Sequence, residues 1–226
     1  MAENTLFDPG CPLAPSELVL LHGEKFAKKT KAGGVQLLGK DIKVADQELA
    51  QVLLAVGFLA CEQSGAIRLE MRPEEAAPDQ PTHLYVVPTG EYPPLPAPSL
   101  EFDIQEIAGM LNQVGQETEV SDIIYTWLRQ DSQAPWQTVV DFIQEGMASR
   151  GLLDKAEEKG LQESILARLG LPDSTASIAA EQPIEPVKQL LKDCSKSRAE
   201  VWKTLEQHIN HSLESRHEEG GAEVAM

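Results

Sequence analysis

Three groups of residues are candidates for binding or catalysis. His208-Ile-Asn-His211 sets two imidazoles at i and i+3, and Glu214 and His217 follow at helical spacing. Two imidazoles and a carboxylate can hold a divalent ion. This stretch is charged and offers no fourth ligand from a loop, so a solvated polar face accounts for it and no metal is assigned. Gly34-Val-Gln-Leu-Leu-Gly39-Lys40-Asp41 has phosphate-loop spacing. Asp41 stands where Ser or Thr would hold magnesium, and its carboxylate would repel a nucleotide. A glycine-bounded turn is the expectation there. The third group is six lysines, Lys25, Lys28, Lys29, Lys31, Lys40 and Lys43, set against Glu24 and Asp41. Such a run suits an anionic surface, although lysines spread round a solvated face would look the same.

Other reactive side chains fall in no recognisable motif. His22 and His83 are isolated in the sequence with no nucleophile beside them, and there is no GxSxG elbow. Cys61 and Cys194 fall on apolar helix faces and are expected to be core thiols. Glu74-Glu75 and Glu218-Glu219 lie in loop or tail, where nothing would bury them and raise a carboxyl pKa. The expectation is therefore no enzyme, no catalytic residue, no cofactor and no metal.

The elements that position these groups sit in an acidic chain. Its 226 residues carry 19 Lys+Arg against 36 Asp+Glu, a net charge of −17. Residues 1–72 are close to neutral, and nearly all the negative charge lies beyond them. Broad nucleic-acid binding is disfavoured, because phosphates would meet a repelling field. At 42% hydrophobic the chain can bury a core. The longest apolar run, Leu49 to Cys61, is shorter than the ~20 residues of a membrane span. The N-terminus MAENTLFDPG has no basic or apolar signal region. Three cysteines, Cys11, Cys61 and Cys194, with no CxxC pair fit a reducing compartment. A soluble cytoplasmic protein is expected.

Hydrophobic periodicity divides the chain. Residues 1–15 read as an irregular arm. A helix from Ser16 runs through the lysines to Gly33-Gly34. A second follows Asp46, with Leu49, Val52, Leu53, Val56 and Leu59 on one face. Ala66–Met71 and His83–Val87 alternate as strands. Helix, helix and two-stranded ribbon is the order of a winged-helix module, spanning 16–90. A proline-rich connector covers 91–98. Ser99, Ser121 and Ser132 open three helices of a second winged-helix-like module, 99–170, which ends on a short helix through Leu161, Ile165 and Leu169. A linker at 171–186 leads to an amphipathic helix at 187–216, and an acidic tail covers 217–226. The predicted fold class is mainly α with small β-hairpins (α+β): two winged-helix-like modules plus a long C-terminal helix. That helix packs back on the body or meets a protein partner or a second copy.

Trp127, Trp136 and Trp202 lie on or beside apolar stripes and are expected in the core. Ala45–Cys61 and Pro135–Ser149, the candidate recognition helices, hold no Lys or Arg, which argues against reading DNA.

Three stretches carry a family likeness. Glu48 to Cys61 with Ser64-Gly-Ala-Ile-Arg-Leu is an aliphatic helix running into a Gly-x-Ile strand. Val86-Val-Pro-Thr-Gly90 is followed by the helix at Leu100. Asp122-Ile-Ile-Tyr-Thr-Trp-Leu leads through Val139 to Gly151-Leu-Leu153. Together they resemble the Golgi phosphoprotein family, cytosolic peripheral-membrane proteins that bind phosphatidylinositol-4-phosphate, and the chain looks like a diverged member of prokaryotic type. The resemblance implies a non-enzymatic cytosolic adaptor bound peripherally to anionic lipid or phosphoinositide. The family's arginine-rich helix-to-strand junction is replaced here by Gln63, Ser64 and Ala66, leaving Arg68. Lys40, Lys43 and Arg68 are the headgroup candidates, with Lys25, Lys28, Lys29 and Lys31 as an anionic-surface patch. The alternative is a soluble winged-helix assembly or regulatory factor working through protein contacts; a DNA-binding regulator ranks third.

Overall fold

The computed structural model describes residues 12–72, 83–128, 134–153 and 171–223. The ribbon expected after Leu153, the helix through Leu161 and Leu169, Cys11 and most of the N-terminal arm lie outside the described residues. The described chain is mainly helical with small antiparallel hairpins, as the periodicity predicts.

Helix α1 (Pro15–Leu21) starts on proline, whose fixed φ suits a first turn. It does not continue through the lysines. A single 3-10 turn (Gly23–Lys25) follows, then a three-stranded antiparallel sheet of β1 (Lys29–Thr30), β2 (Val35–Gln36) and β3 (Lys43–Val44), with β3 in the middle. Gly34 explains the change. Its φ is +73°, and a Cβ there would lie 2.1 Å from the Val44 carbonyl oxygen, so the chain turns back against β3 at this point.

Helix α2 (Asp46–Gln63) is the centre of the molecule. The sequence stripe predicts one buried face, but Leu54, Ala55, Phe58, Ala60 and Cys61 are buried as well, and Val52 is only half-buried. Helices α1, α3 (Leu100–Gln113), α5 (Pro135–Ser149), α7 (Glu185–Ser197) and α8 (Ala199–Glu223) all pack on it. A helix that is apolar all round must be enclosed in this way. One hydrophobic cluster runs from Leu13 to Leu213, so the two expected modules share a core.

Strands β4 (Ile67–Arg72) and β5 (His83–Pro88) pair antiparallel from Ile67↔Pro88 to Arg72↔His83, with Ile67, Leu69, Leu84 and Val86 turned to the core. Ser99 caps α3, its hydroxyl oxygen accepting the Phe102 N–H at 3.1 Å. Helix α4 (Val120–Trp127) is capped by Glu119 rather than by the expected Ser121, and α5 starts at Pro135. Part of the expected linker is helix α6 (Asp173–Glu181).

The long C-terminal helix is two. Arg198 breaks it, with φ −133° and ψ 49°. The Arg198 guanidinium donates to both Glu62 oxygens at 2.5 and 3.0 Å, tying the bend to the end of α2. Beyond the bend Leu205, Ile209 and Leu213 are buried as α8 packs on α2, α4, α5 and β5, so this helix packs back on the body. No helix among the described residues is long and apolar enough to cross a membrane.

Candidate functional site

The small sheet gathers most of the lysine run. Lys29 sits on edge strand β1, Lys43 on central strand β3 opposite Thr30 and Gln36, and Lys31 follows β1. Lys25, Lys28, Lys29, Lys31 and Lys43 are all exposed. Lys28 is held at Glu48, whose oxygens lie 2.8 Å from its ammonium and 2.9 Å from its backbone N–H. Among the described residues Lys29, Lys31 and Lys43 form no salt bridge.

Lys40 is placed differently from its neighbours. Its ammonium turns inward, donating to the Leu21 carbonyl at 2.8 Å and to both Glu24 oxygens at 2.9 Å. Burial pushes the Glu24 carboxyl up, but the Lys40 ammonium more than offsets it and the pKa ends below its ordinary value. Lys40 therefore anchors the turn after β2 to the end of α1, and its donors are occupied. Arg68 is exposed on the other sheet, 3.1 Å from Glu70. The three headgroup candidates thus lie on separate elements: a turn, the small sheet and the ribbon.

The remaining chemical candidates resolve plainly. Gly34 and Gly39 both have left-handed φ, and β2 lies between them, so the GxxxxGK stretch is a glycine-bounded turn and does not lead into a helix N-terminus. Cys61 is fully buried, its Sγ donating to the Glu101 carbonyl at 3.2 Å, and burial pushes its thiol well up. Cys194 is also buried, and its thiol is raised by burial against the opposing pull of Arg198. Neither has the low pKa of a nucleophilic thiolate. Trp127, Trp136 and Trp202 pack against the core, half-buried.

An open hollow of about 430 Å³ lies along the outer face of α3, lined by Tyr92, Asp103, Glu106, Ile107 and Met110. Tyr92, Met110 and the nearby Val114 are 58%, 57% and 73% exposed. Burial, with Glu106 beside it, raises the Asp103 carboxyl above its ordinary value.

The fold also brings together residues that the sequence leaves apart. His83 opens β5, Glu119 caps α4 and His208 lies midway along α8. His83 Nδ1 is 2.9 Å from Glu119 Oε1, and His208 Nδ1 is 3.8 Å from Glu119 Oε2. The two imidazole rings are 6.3 Å apart at 68°. Burial lowers the His208 pKa, and Glu119 opposes that shift. The backbone holds the group: Tyr85 bridges to Glu119, and the Val86 N–H donates to the Thr118 carbonyl at 2.8 Å. His83 looks isolated in the sequence because its neighbours come from two distant helices. His208, in turn, is the half-buried member of its spaced group. His211 and Glu214 are exposed, and the exposed His217 ring lies 4.8 Å from Trp136. No sequence signal links His83, Glu119 and His208.

No family model, curated protein or solved structure matches the chain.

Proposed function

We propose that the chain is a non-enzymatic adaptor that docks peripherally on anionic lipid, including phosphoinositide, through the lysine-bearing sheet β1–β3 and the adjoining Lys25 and Lys31. The observation that carries this reading is the exposure of five lysines around one small sheet in a protein of net charge −17. The resemblance of the stretches between Glu48 and Leu153 to phosphatidylinositol-4-phosphate-binding proteins supports lipid as the anionic partner. Lys40 leaves the candidate headgroup set because its donors are spent on Glu24 and Leu21. At about 1 kcal/mol per basic residue near an anionic surface, Lys25, Lys29, Lys31 and Lys43 supply about 4 kcal/mol. Alone that corresponds to a constant in roughly the millimolar range. Binding should therefore be weak and strongly dependent on salt.

The test is flotation with neutral liposomes and with liposomes carrying phosphatidylserine or phosphatidylinositol-4-phosphate, at low and physiological salt. The expected result is flotation only with anionic lipid, lost in Lys29→Glu/Lys31→Glu/Lys43→Glu and kept in Lys40→Ala. Flotation of the triple variant like the wild type, or none at low salt, overturns the reading.

A second reading is protein assembly through the outer face of α3, favoured by the exposed Tyr92, Met110 and Val114 beside Asp103 and Glu106. Sedimentation velocity of wild type and Met110→Glu/Val114→Glu tests whether that face joins copies of the chain.

A further inference from the structure

We propose that His83, Glu119 and His208 form a site for a zinc-class divalent cation, which ties α8 to the β4–β5 ribbon and to the start of α4. The site is separate from the lysine sheet and independent of lipid binding. One ligand atom from each of the three side chains lies within 4.8 Å of the others. Tetrahedral zinc, with bonds of about 2.0–2.1 Å, sets its donors about 3.3 Å apart. The observed separations to the two Glu119 oxygens, 2.9 and 3.8 Å, lie on either side of that value, and with the donor set within 4.8 Å, relative side-chain movements of up to about 1.5 Å bring the donors onto an ion.

A hydrogen-bonded triad without metal is the competing account. It explains the short contact to His83. It does not explain His208, whose Nδ1 at 3.8 Å is too far for a hydrogen bond to the carboxylate it faces. A cation between them would draw both groups in. The two nitrogen donors favour zinc over magnesium or calcium, which prefer oxygen. The side chains are 30%, 23% and 15% exposed, which leaves room for water at a fourth position. Each ligand rests on a regular element: His83 paired with Arg72 across the ribbon, Glu119 bridged to Tyr85, and His208 next to buried Ile209. Such placement reduces the ordering cost of binding.

The full-length chain, stripped with chelator and dialysed, is titrated with Zn²⁺ by calorimetry and with Co²⁺ by absorption. One equivalent should bind, and the Co²⁺ spectrum should show tetrahedral d–d bands without thiolate charge transfer. His83→Gln and Glu119→Gln should each weaken binding by at least about tenfold. His211→Gln/His217→Gln should leave it unchanged. The Glu119→Gln variant keeps the backbone N–H that donates to Asp122 at the start of α4, and His83 lies at the first residue of its strand, so two independent variants and a wild-type spectrum report on the site. No stoichiometric binding to the wild type, a thiolate band, unchanged affinity in both ligand variants, or loss in the His211/His217 variant overturns the proposal.

Discussion

Replacing Glu17 by glutamine asks which of two opposing effects governs a buried carboxyl. Glu17 lies in the first turn of α1 with no solvent exposure, its Oε2 accepting the Ala14 N–H at 2.8 Å. Its Oε1 accepts from the Arg150 guanidinium, and Glu101 lies close by. Burial raises the pKa, Arg150 lowers it, and burial wins, leaving the pKa at about 7 against an ordinary 4.5. Below pH 4.5 the group is protonated in both the folded and unfolded chains. Between 4.5 and about 7 the unfolded chain gives up the proton and the folded one keeps it, so stability falls as pH rises. At about 1.4 kcal/mol per pH unit the loss amounts to about 3 kcal/mol, complete above about pH 7. The glutamine side chain keeps the acceptor for the Ala14 N–H and cannot ionise. Urea unfolding of both proteins, followed by far-UV circular dichroism at about pH 4 and about pH 8, isolates the effect. Burial also raises Asp103, Asp141 and Glu206, but these are common to both proteins and cancel, whereas Glu101, raised by burial beside Glu17, is coupled to it and counts as part of the same site. The stability of Glu17→Gln relative to wild type should be about 3 kcal/mol more favourable at the higher pH than at the lower. Equal differences at the two pH values, or a variant relatively worse at the higher one, would mean that Arg150 holds Glu17 ionised and that burial does not dominate.

Two further substitutions test the packing around α2. Gly57→Ala should destabilise by about 1 kcal/mol in urea unfolding, since overpacking costs about 1–3 kcal/mol and the helix-propensity gain is about 1 kcal/mol. The added Cβ would lie 2.9 Å from Leu100 Cδ2 and 3.1 Å from Ile104 Cδ1, and both neighbours are buried with little room to yield. Ile209→Ala should cost about 2–5 kcal/mol, because Ile209 is 1% exposed on the inner face of α8. A cost below about 1 kcal/mol would mean that α8 does not pack on the body in solution.

Local pattern made several elements legible. Period-two alternation placed β4 and β5 to within a residue or two, because each strand turns one face to the core and the other outward. Ser99 marked the start of α3, because a cap acts within one turn of the chain. Cys61 and Cys194 were identifiable as core thiols from the apolar faces they share.

Where the sequence reading departs from the fold, the cause is a contact between distant residues. The lysine run could have stayed helical by propensity; pairing of β1 and β2 with β3, and the tight approach of Gly34 to Val44, made it a sheet. The C-terminal stretch reads as one amphipathic helix, and the bidentate hold of Glu62 on Arg198 accompanies its bend into two. Lys40 looks like its neighbours in the sequence until Glu24 and the Leu21 carbonyl occupy its donors. His83, Glu119 and His208 meet only because β5, α4 and α8 pack together. The mainly helical class, the strands and the charge asymmetry were already written in the chain, since periodicity and composition are local or additive. Which charges stay free, and which imidazoles share a carboxylate, followed from packing, because partners at hydrogen-bond distance come from remote elements and carry no mark in sequence spacing.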